Sequence, residues 1–390
     1  MHGSSHDDVR RHNLRTVLRL VHHRGPTSRA GLTRLTGLNR STISALVAQL
    51  TALGLVEERQ PDATNQVGRP SPVVAVNGRV AALAVHPEID AVTVALVGLD
   101  GVVHRRIRCP MPEQPTATAA VRLAADAIAD LRGDIEGRHD VVGVGVAVPG
   151  LVRTSDGLVR HAPHLGWTDE PITEMLAAAV GYPVHAGNDA SLGLLAERDG
   201  GSGVGCTDLI YLNGGASGIG GGVIVGGRVV GGHAGYAGEF GHTRVSDGTA
   251  VDSAGFRGTL EAEVTRSGLL NALGLTGDTD ADTLEHALLA SDAPRVKAEV
   301  HRQLDHLAVA LAGAVNVLNP QVVVLGGFLA ALRAVDPDRL HHAVAALTLP
   351  TVFEGLRIDA AMLGSDLLMI GAAELAFAGV LDDPHSFGRA

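Results

Sequence analysis

The sequence predicts an α/β protein in two parts, a small winged helix-turn-helix head followed by a larger body of alternating strands and helices. Three observations carry that prediction. Apolar residues recur at helical spacing through residues 14–50, with a glycine between two of the helical stretches. From Val80 onward, short apolar runs alternate with glycine turns and longer helical patterns. Charge is also divided unevenly. Residues 1–72 hold ten arginines against five acids, a net +5, and the remainder holds 21 basic against 37 acidic residues, a net −16. A basic head on an acidic body suits a chain that presents one end to a polyanion and keeps the other off it.

In the head, Leu14, Val17, Leu18 and Val21 stand on one face of a first helix that ends before Gly25. Ser28 can cap a short second helix carrying Leu32 and Leu35, and Gly37 permits a tight turn. Asn39 or Arg40 starts a third helix with Ile43, Leu46, Val47 and Leu50 on one face. The stretch LGLVEERQPDATNQVGRPSPVVAV then reads as strand, polar loop and strand, the wing of a winged helix. In this arrangement the start of the third helix meets base edges in a major groove, so Asn39, Arg40, Ser41, Thr42 and Ser44 are the candidate DNA contacts. Arg69, in the wing, is placed to enter a minor groove. A three-helix packing module with a solvated charged face is the alternative reading.

The body opens with strands in AALAVHPEIDAVTVALVGLDG, a helix in AAVRLAADAIADLRG, a strand in VVGVGVAVPG and a helix in ITEMLAAAVG. A second cycle begins at TDLIYLNGGASGIGGGVIVGGRVVGG, a hairpin with a glycine-rich turn. It continues through the helix LDHLAVALAGAVNVLNP and the strand QVVVLGG to a last helix near Leu367 to Ala378. Two similar halves with a cleft between them is the expected shape. The domains expected are 1–76 for the head and 77–390 for the body, the latter in lobes of about 77–200 and 201–390.

Candidate chemistry gathers in two places. Asn188 and Asp189, in GNDASLGLLAE, fall where a strand ends and a helix begins, as cleft-lining polar groups or as a helix cap. Glu239, His242 and Glu261 lie among glycines in AGEFGHTRVSDGTAVDSAGFRGTLEAE, where they could grip a polyol, ligate a metal or decorate a surface turn. The glycine run NGGASGIGGG and Gly326–Gly327 could cradle phosphate through bare backbone amides. Cys109 and Cys206 have no metal-site spacing and read as reduced thiols. Met1 to Arg15 is polar, and apolar runs are broken well before the roughly 18 residues a membrane span needs. A cytoplasmic chain with no membrane contact is expected.

With these motifs in order, the chain resembles the ROK family (repressors, open reading frames and kinases), in particular its regulators of the xylose-repressor and N-acetylglucosamine-repressor type. The resemblance runs from the winged helix ending in GRP through GVGVAVPGLV, HAPHLGW, GNDASLGLLAE, GIGGGVIVGGRVVGGHAGYAGEFGH and NVLNPQVVVLGG. It implies an actin/hexokinase-like (ribonuclease H-like) two-lobed body with a sugar in the cleft, contacted by Asn188, Asp189, Glu239, His242 and Glu261. Carboxylates and an imidazole around sugar hydroxyls satisfy one another in a partly dry pocket, whereas alone they would be costly to bury. In kinases of the family the residue matching Asp189 is the general base.

Three departures from the family shape the expectation. Zinc-containing members place cysteines where this chain has Asp252, Ala254 and Thr259, so no metal is expected. The kinase phosphate loop is replaced by VHPEIDAVT, with His86 for the aspartate and Glu88 for the first glycine. A glutamate there repels a triphosphate and denies it close backbone approach, so Asp189 is expected to be a vestigial base in a non-catalytic body with no cofactor. His164 stands where the family often has Asn. The resemblance thus implies a sugar-responsive repressor whose partners are operator DNA and a sugar or sugar-phosphate effector, acting as a homodimer or higher homo-oligomer. A sugar kinase with a DNA-binding head, or a DNA-binding protein whose body has lost its sugar, are the rival readings.

Overall fold

A computed structural model describes residues 6–59, 72–216, 218–233, 235–277, 279 and 281–387. The head opens with α1 (His6–Arg24), whose Leu14, Val17, Leu18 and Val21 are fully buried. After β1 (Thr27–Ser28), Ser28 accepts the Gly31 amide and caps α2 (Arg29–Thr36). Gly37, at φ 70°, turns the chain in the left-handed region that glycine enters without strain. Asn39 then caps α3 (Arg40–Ala52), and the apolar face of α3 closes on α1 and α2. Leu35 is the exception to the expected packing. It is 44% exposed, whereas Leu32 on the same helix is fully buried. β2 (Val56–Arg59) and β3 (Val73–Val76) pair antiparallel from Val56 opposite Val76 to Arg59 opposite Val73. The loop between them, with the candidate Arg69, lies outside the described residues.

The first lobe holds β4 (Val80–Pro87), β5 (Ala91–Gly98), β6 (Val103–Pro110), α4 (Ala117–Asp130), α5 (Arg132–Ile135) and β7 (Asp140–Val148). It continues through β8 (Leu151–Val152), β9 (Val159–Ala162), β10 (Trp167–Glu170), α6 (Ile172–Val180), β11 (Val184–Asn188) and α7 (Asp189–Gly200). The second lobe starts with β12 (Leu209–Gly215), β13 (Gly218–Val225) and β14 (Arg228–Val229). A long loop then leads to α8 (Leu260–Glu263), α9 (Arg266–Leu273), α10 (Ala281–Ala290) and α11 (Pro294–Leu318). It ends with β15 (Val322–Gly327), α12 (Phe328–Val335), α13 (Pro337–Leu347), α14 (Pro350–Phe353), β16 (Arg357–Ala360) and α15 (Leu367–Asp382).

The strand orders are β11-β7-β4-β5-β6 and β14-β13-β12-β15-β16. Numbering the five strands of each lobe in chain order, the first sheet reads fifth, fourth, first, second, third, and the second reads the same when taken from β16. In each, the first strand pairs antiparallel with the second and parallel with the fourth, and the fourth pairs parallel with the fifth. The two lobes therefore repeat one topology. Central strands covered on both faces are almost wholly apolar, as in β4 and β5, where every position is buried and only His86 and Thr93 are polar. The outer strand β6 carries His104, Arg105, Arg106 and Arg108 and is largely exposed.

α15 crosses from the second lobe to pack on β4, β7 and α7, and then reaches α1. Its small residues permit this: a Cβ on Gly371 would come within 2.6 Å of the Leu192 carbonyl on α7. The apolar core of the head is continuous with the inner face of the first sheet through Met369, Ala372, Ala376 and Phe377 of α15. The segment Gly364–Asp382 is also an exception to the expected absence of long apolar helices. At 19 residues and mean hydropathy 1.5 it has the length and composition to span a membrane, and half of it is buried in the packing just described. The leucines, alanines and other apolar side chains buried in that packing raise hydropathy in the same way that a span would.

Candidate functional site

The lobes face each other across a cavity of about 810 Å³. Asn188 and Asp189 reach it because β11 ends and α7 begins there. Asn188 Oδ1 caps α7 by accepting the Ser191 amide at 2.9 Å, and its Nδ2 donates to the Gly150 carbonyl at 3.1 Å. The cap and cleft readings of Asn188 thus describe the same side chain. Asp189 Oδ1 accepts its neighbour's amide, Ala190 N, at 2.8 Å. Burial pushes the Asp189 carboxyl up from its ordinary range, against the charge of His86, which lowers it.

Glu239, His242 and Glu261 come to the same cavity from the loop after β14 and from α8. Glu261 is tightly held. Its Oε2 accepts Ile219 N at 3.0 Å, and its Oε1 accepts Ser253 N at 3.2 Å and Ser253 Oγ at 2.5 Å, with His164 Nε2 3.6 Å away. Burial opposes ionisation here, but the nearby His164 imidazole, together with the Ser253 and Ile219 donors, outweighs it and sets the pKa at about 2. Glu239 is 46% exposed to the cavity, yet the surrounding walls desolvate it enough to raise its pKa. Its Oε2 lies 3.9 Å from His242 Nε2.

His242 is positioned by a residue that sequence reasoning treated only as a missing cysteine. The Asp252 side chain is fully buried. Its Oδ2 accepts His242 Nδ1 and Thr259 Oγ1, each at 2.9 Å, and its Oδ1 accepts Ala254 N at 3.0 Å and Phe256 N at 2.8 Å. The turn pattern DSAGF, with an aspartate bonding amides two and four residues on, was the available signal. Thr259 also caps α8 through the Ala262 amide. Zinc does not fit this arrangement: the Asp252 carboxylate is spent on four hydrogen bonds, and Ala254 offers no ligand. Among the described residues, no group of three or more His, Cys, Asp or Glu side chains is placed to hold a metal ion.

At the first-lobe wall, His86 is buried on β4 with Nδ1 donating to the Ala147 carbonyl at 2.9 Å and Nε2 3.6 Å from Glu88. Burial alone would lower the imidazole pKa. The charge of Glu88, and then that of Asp189, overcome this and push it up to about 9. Glu88 is correspondingly held below its usual range, burial notwithstanding, by His86 and then by Arg108 and Arg266. Arg108 on β6, Arg266 at the start of α9 and His161 on β9 also line the cavity, and residues so scattered along the chain carry no sequence pattern.

In the head, Arg40 and Ser41 are exposed at the start of α3, and Thr42 and Ser44 are half-buried. Asn39 Oδ1 is occupied, accepting Thr42 N and Ser41 Oγ, each at 2.8 Å. Ser44 Oγ accepts Arg29 Nη1 at 3.3 Å, and Arg29 in turn grips Glu58 of β2 through both carboxylate oxygens. Asn39 and Ser44 are thus tied into the head, and Arg40, Ser41 and Thr42 carry the reachable surface.

Residues 87–378 match the ROK family and residues 15–65 match the MarR family. The chain is 25% identical over 399 residues to a putative xylose repressor of Caldicellulosiruptor sp. (strain Rt8B.4), covering 97% of this chain and 99% of that one. It is 31% identical over 263 residues to a glucokinase of Halalkalibacterium halodurans, covering 63% of this chain and 79% of that one. Among solved structures it resembles a ROK family transcriptional regulator, a homologue of the E. coli MLC protein, with a TM-score of 0.77. The identity there is 20%, and the match covers 96% of this chain and 97% of that one, a likeness of fold.

Proposed function

The chain belongs to the ROK family, and from that membership we propose that it is a sugar-responsive transcriptional regulator, a repressor that binds operator DNA as a homodimer or higher homo-oligomer in the cytoplasm. The observation that carries this reading is the joining of a winged-helix head, with Arg40, Ser41 and Thr42 open at the start of α3, to a cavity that gathers Asn188, Asp189, Glu239, His242 and Glu261. Residues 1–76 form the DNA-binding part in this reading and 77–390 the sensor. The full-length likeness to a putative xylose repressor supports it. Sugar hydroxyls donate and accept at once, and they suit a wall of ionised Glu261, partly open Glu239 and a histidine whose Nδ1 is already engaged.

The body is proposed to bind without catalysing. The His86–Glu88 pair occupies the wall where the family's kinases cradle phosphate, and a half-buried carboxylate there opposes a triphosphate. The second reading, a sugar kinase with a DNA-binding head, rests on one specific observation: Asp189 remains in the cavity at the start of α7, in a chain 31% identical to a glucokinase over the shared region. Thermal shift against D-xylose, D-glucose, N-acetyl-D-glucosamine and their phosphates, followed by ADP release with each sugar that binds, separates the two. Binding with ADP release at background supports the regulator. Turnover with any of them replaces it with the kinase.

A further inference from the structure

The cavity and the head are joined by two helices, each with one end in the cavity wall and the other end or flank against α1. α7 begins with Asp189 at the cavity and ends at Gly200 beside α1. At about 1.5 Å per residue that is a rod on the order of 18 Å long. α15 begins with Leu367, Leu368 and Met369 in the cavity lining and packs its middle and C-terminal parts on α1. The rods touch each other backbone to backbone at Gly371 and Leu192.

Where they meet α1, each rod presents a carboxylate to one of two adjacent histidines near the end of that helix. His22 Nε2 donates to Glu374 Oε1 at 2.9 Å and Nδ1 donates to the Leu99 carbonyl at 2.7 Å. Both partners are acceptors only, so both ring nitrogens carry protons and His22 is an imidazolium in a largely buried ion pair. The neighbouring contact is less complete. His23 Nδ1 is buried without a hydrogen-bond partner, 3.4 Å from Asp199 Oδ2, while Arg198 holds that carboxylate through two bonds of 2.6 and 2.5 Å. One junction is closed and the other stands just short of closure.

We propose that α7 and α15 transmit the ligand state of the cavity to the DNA-binding head, with His22–Glu374 as the fixed pivot and His23–Asp199 as the contact that changes. This rests on the regulator reading above and assigns its route. A ligand bonded to Asp189 pulls on the first turn of α7. A helix packed along its length is stiff, so a displacement of a few tenths of an ångström appears at Asp199, where it makes or breaks a hydrogen bond. The pivot keeps α1 seated while the last turn, which leads through Gly25 into β1 and α2, tilts the reading head. The ligand shifts this equilibrium only by its differential affinity for the two arrangements.

The test uses full-length protein, a duplex selected by the protein from a random-sequence pool, and whichever of D-xylose, D-glucose or N-acetyl-D-glucosamine gives the largest thermal shift. Asp199→Asn and His23→Gln are each expected to bind sugar and ligand-free duplex within about twofold of wild type. The sugar-induced change in duplex affinity should fall from the roughly 5–150-fold usual for coupled sites to under about twofold. Hydrogen exchange across residues 18–24 should respond to sugar in wild type and not in either variant, which reads the junction without DNA. A full sugar response in both variants, with sugar-sensitive exchange retained, would overturn the route and leave the regulator reading standing. A wild-type protein that binds the sugar with no change in duplex affinity would sink the regulator reading itself, and the route with it.

Discussion

His242 and Asp252 are joined by a 2.9 Å bond from Nδ1 to a carboxylate with no exposed surface, which also accepts from Thr259, Ala254 and Phe256 and so ties together the loop between Glu239 and Glu261. The bond leaves Nε2 as the ring nitrogen turned toward Glu239. Asp252→Ala strips a charged acceptor from His242, Thr259 and two backbone amides, and it is expected to cost on the order of 2–4 kcal/mol and to abolish the sugar-induced thermal shift. Prolonged chelation of the wild-type protein is expected to change neither its melting temperature nor its sugar binding. A drop in either after chelation, restored by zinc, would show that the loop depends on a metal after all.

The pairing of His86 with Glu88 gives a pH signature. A histidine whose folded pKa is raised from 6.5 to about 9 contributes stability that is full below pH 6.5 and is lost as pH rises through 9, because the folded state holds the proton longer than the unfolded chain does. Between those values the wild-type melting temperature should fall more steeply than that of His86→Gln, which lacks the titrating group. Parallel melting curves for the two proteins from pH 6 to 10 would refute the ion pair.

What was legible in the sequence was mostly local. Leu14, Val17, Leu18 and Val21 announced α1 by their period, and Ser28, Gly37 and Asn39 are placed by capping and turn chemistry that acts within four residues. Asn188 and Asp189 were readable because a strand end meeting a helix start is itself a local event. The head–body junction was not. His22 and Glu374 are 352 residues apart, and nothing near either one distinguishes it from an ordinary surface group. Asp252 fell between these cases: its turn pattern was visible, but its grip on His242 depends on how the loop closes.

Asp189 should separate binding from DNA affinity. Asp189→Asn keeps a side chain that can still accept the Ala190 amide and loses the carboxylate that lines the cavity. Sugar affinity is expected to fall by at least about tenfold, as for a hydrogen bond to a charged group, while ligand-free duplex binding stays within about twofold. Isothermal titration with sugar and a gel shift without it measure the two. A variant that binds sugar as wild type does would remove Asp189 from the site.

At the head, the structure divides neighbours that sequence reasoning grouped together. Asn39 uses its side chain to cap α3, so Asn39→Ala should cost roughly 0.5–2 kcal/mol of stability and weaken all duplexes alike. Arg40 is exposed one residue later and makes no side-chain hydrogen bond among the described residues. Arg40→Ala should leave the melting temperature nearly unchanged and cost about 1–3 kcal/mol at one base pair, relaxing preference there and little elsewhere. Ser41 and Thr42 follow Arg40 on the same turn, and Thr42→Ala should act on an adjacent base pair if α3 lies along the groove. Competition gel shifts against single-base variants of the selected duplex, run beside thermal melts, distinguish a cap from a contact. If Arg40→Ala and Thr42→Ala together left both affinity and base preference unchanged, α3 would not be the helix that enters the groove.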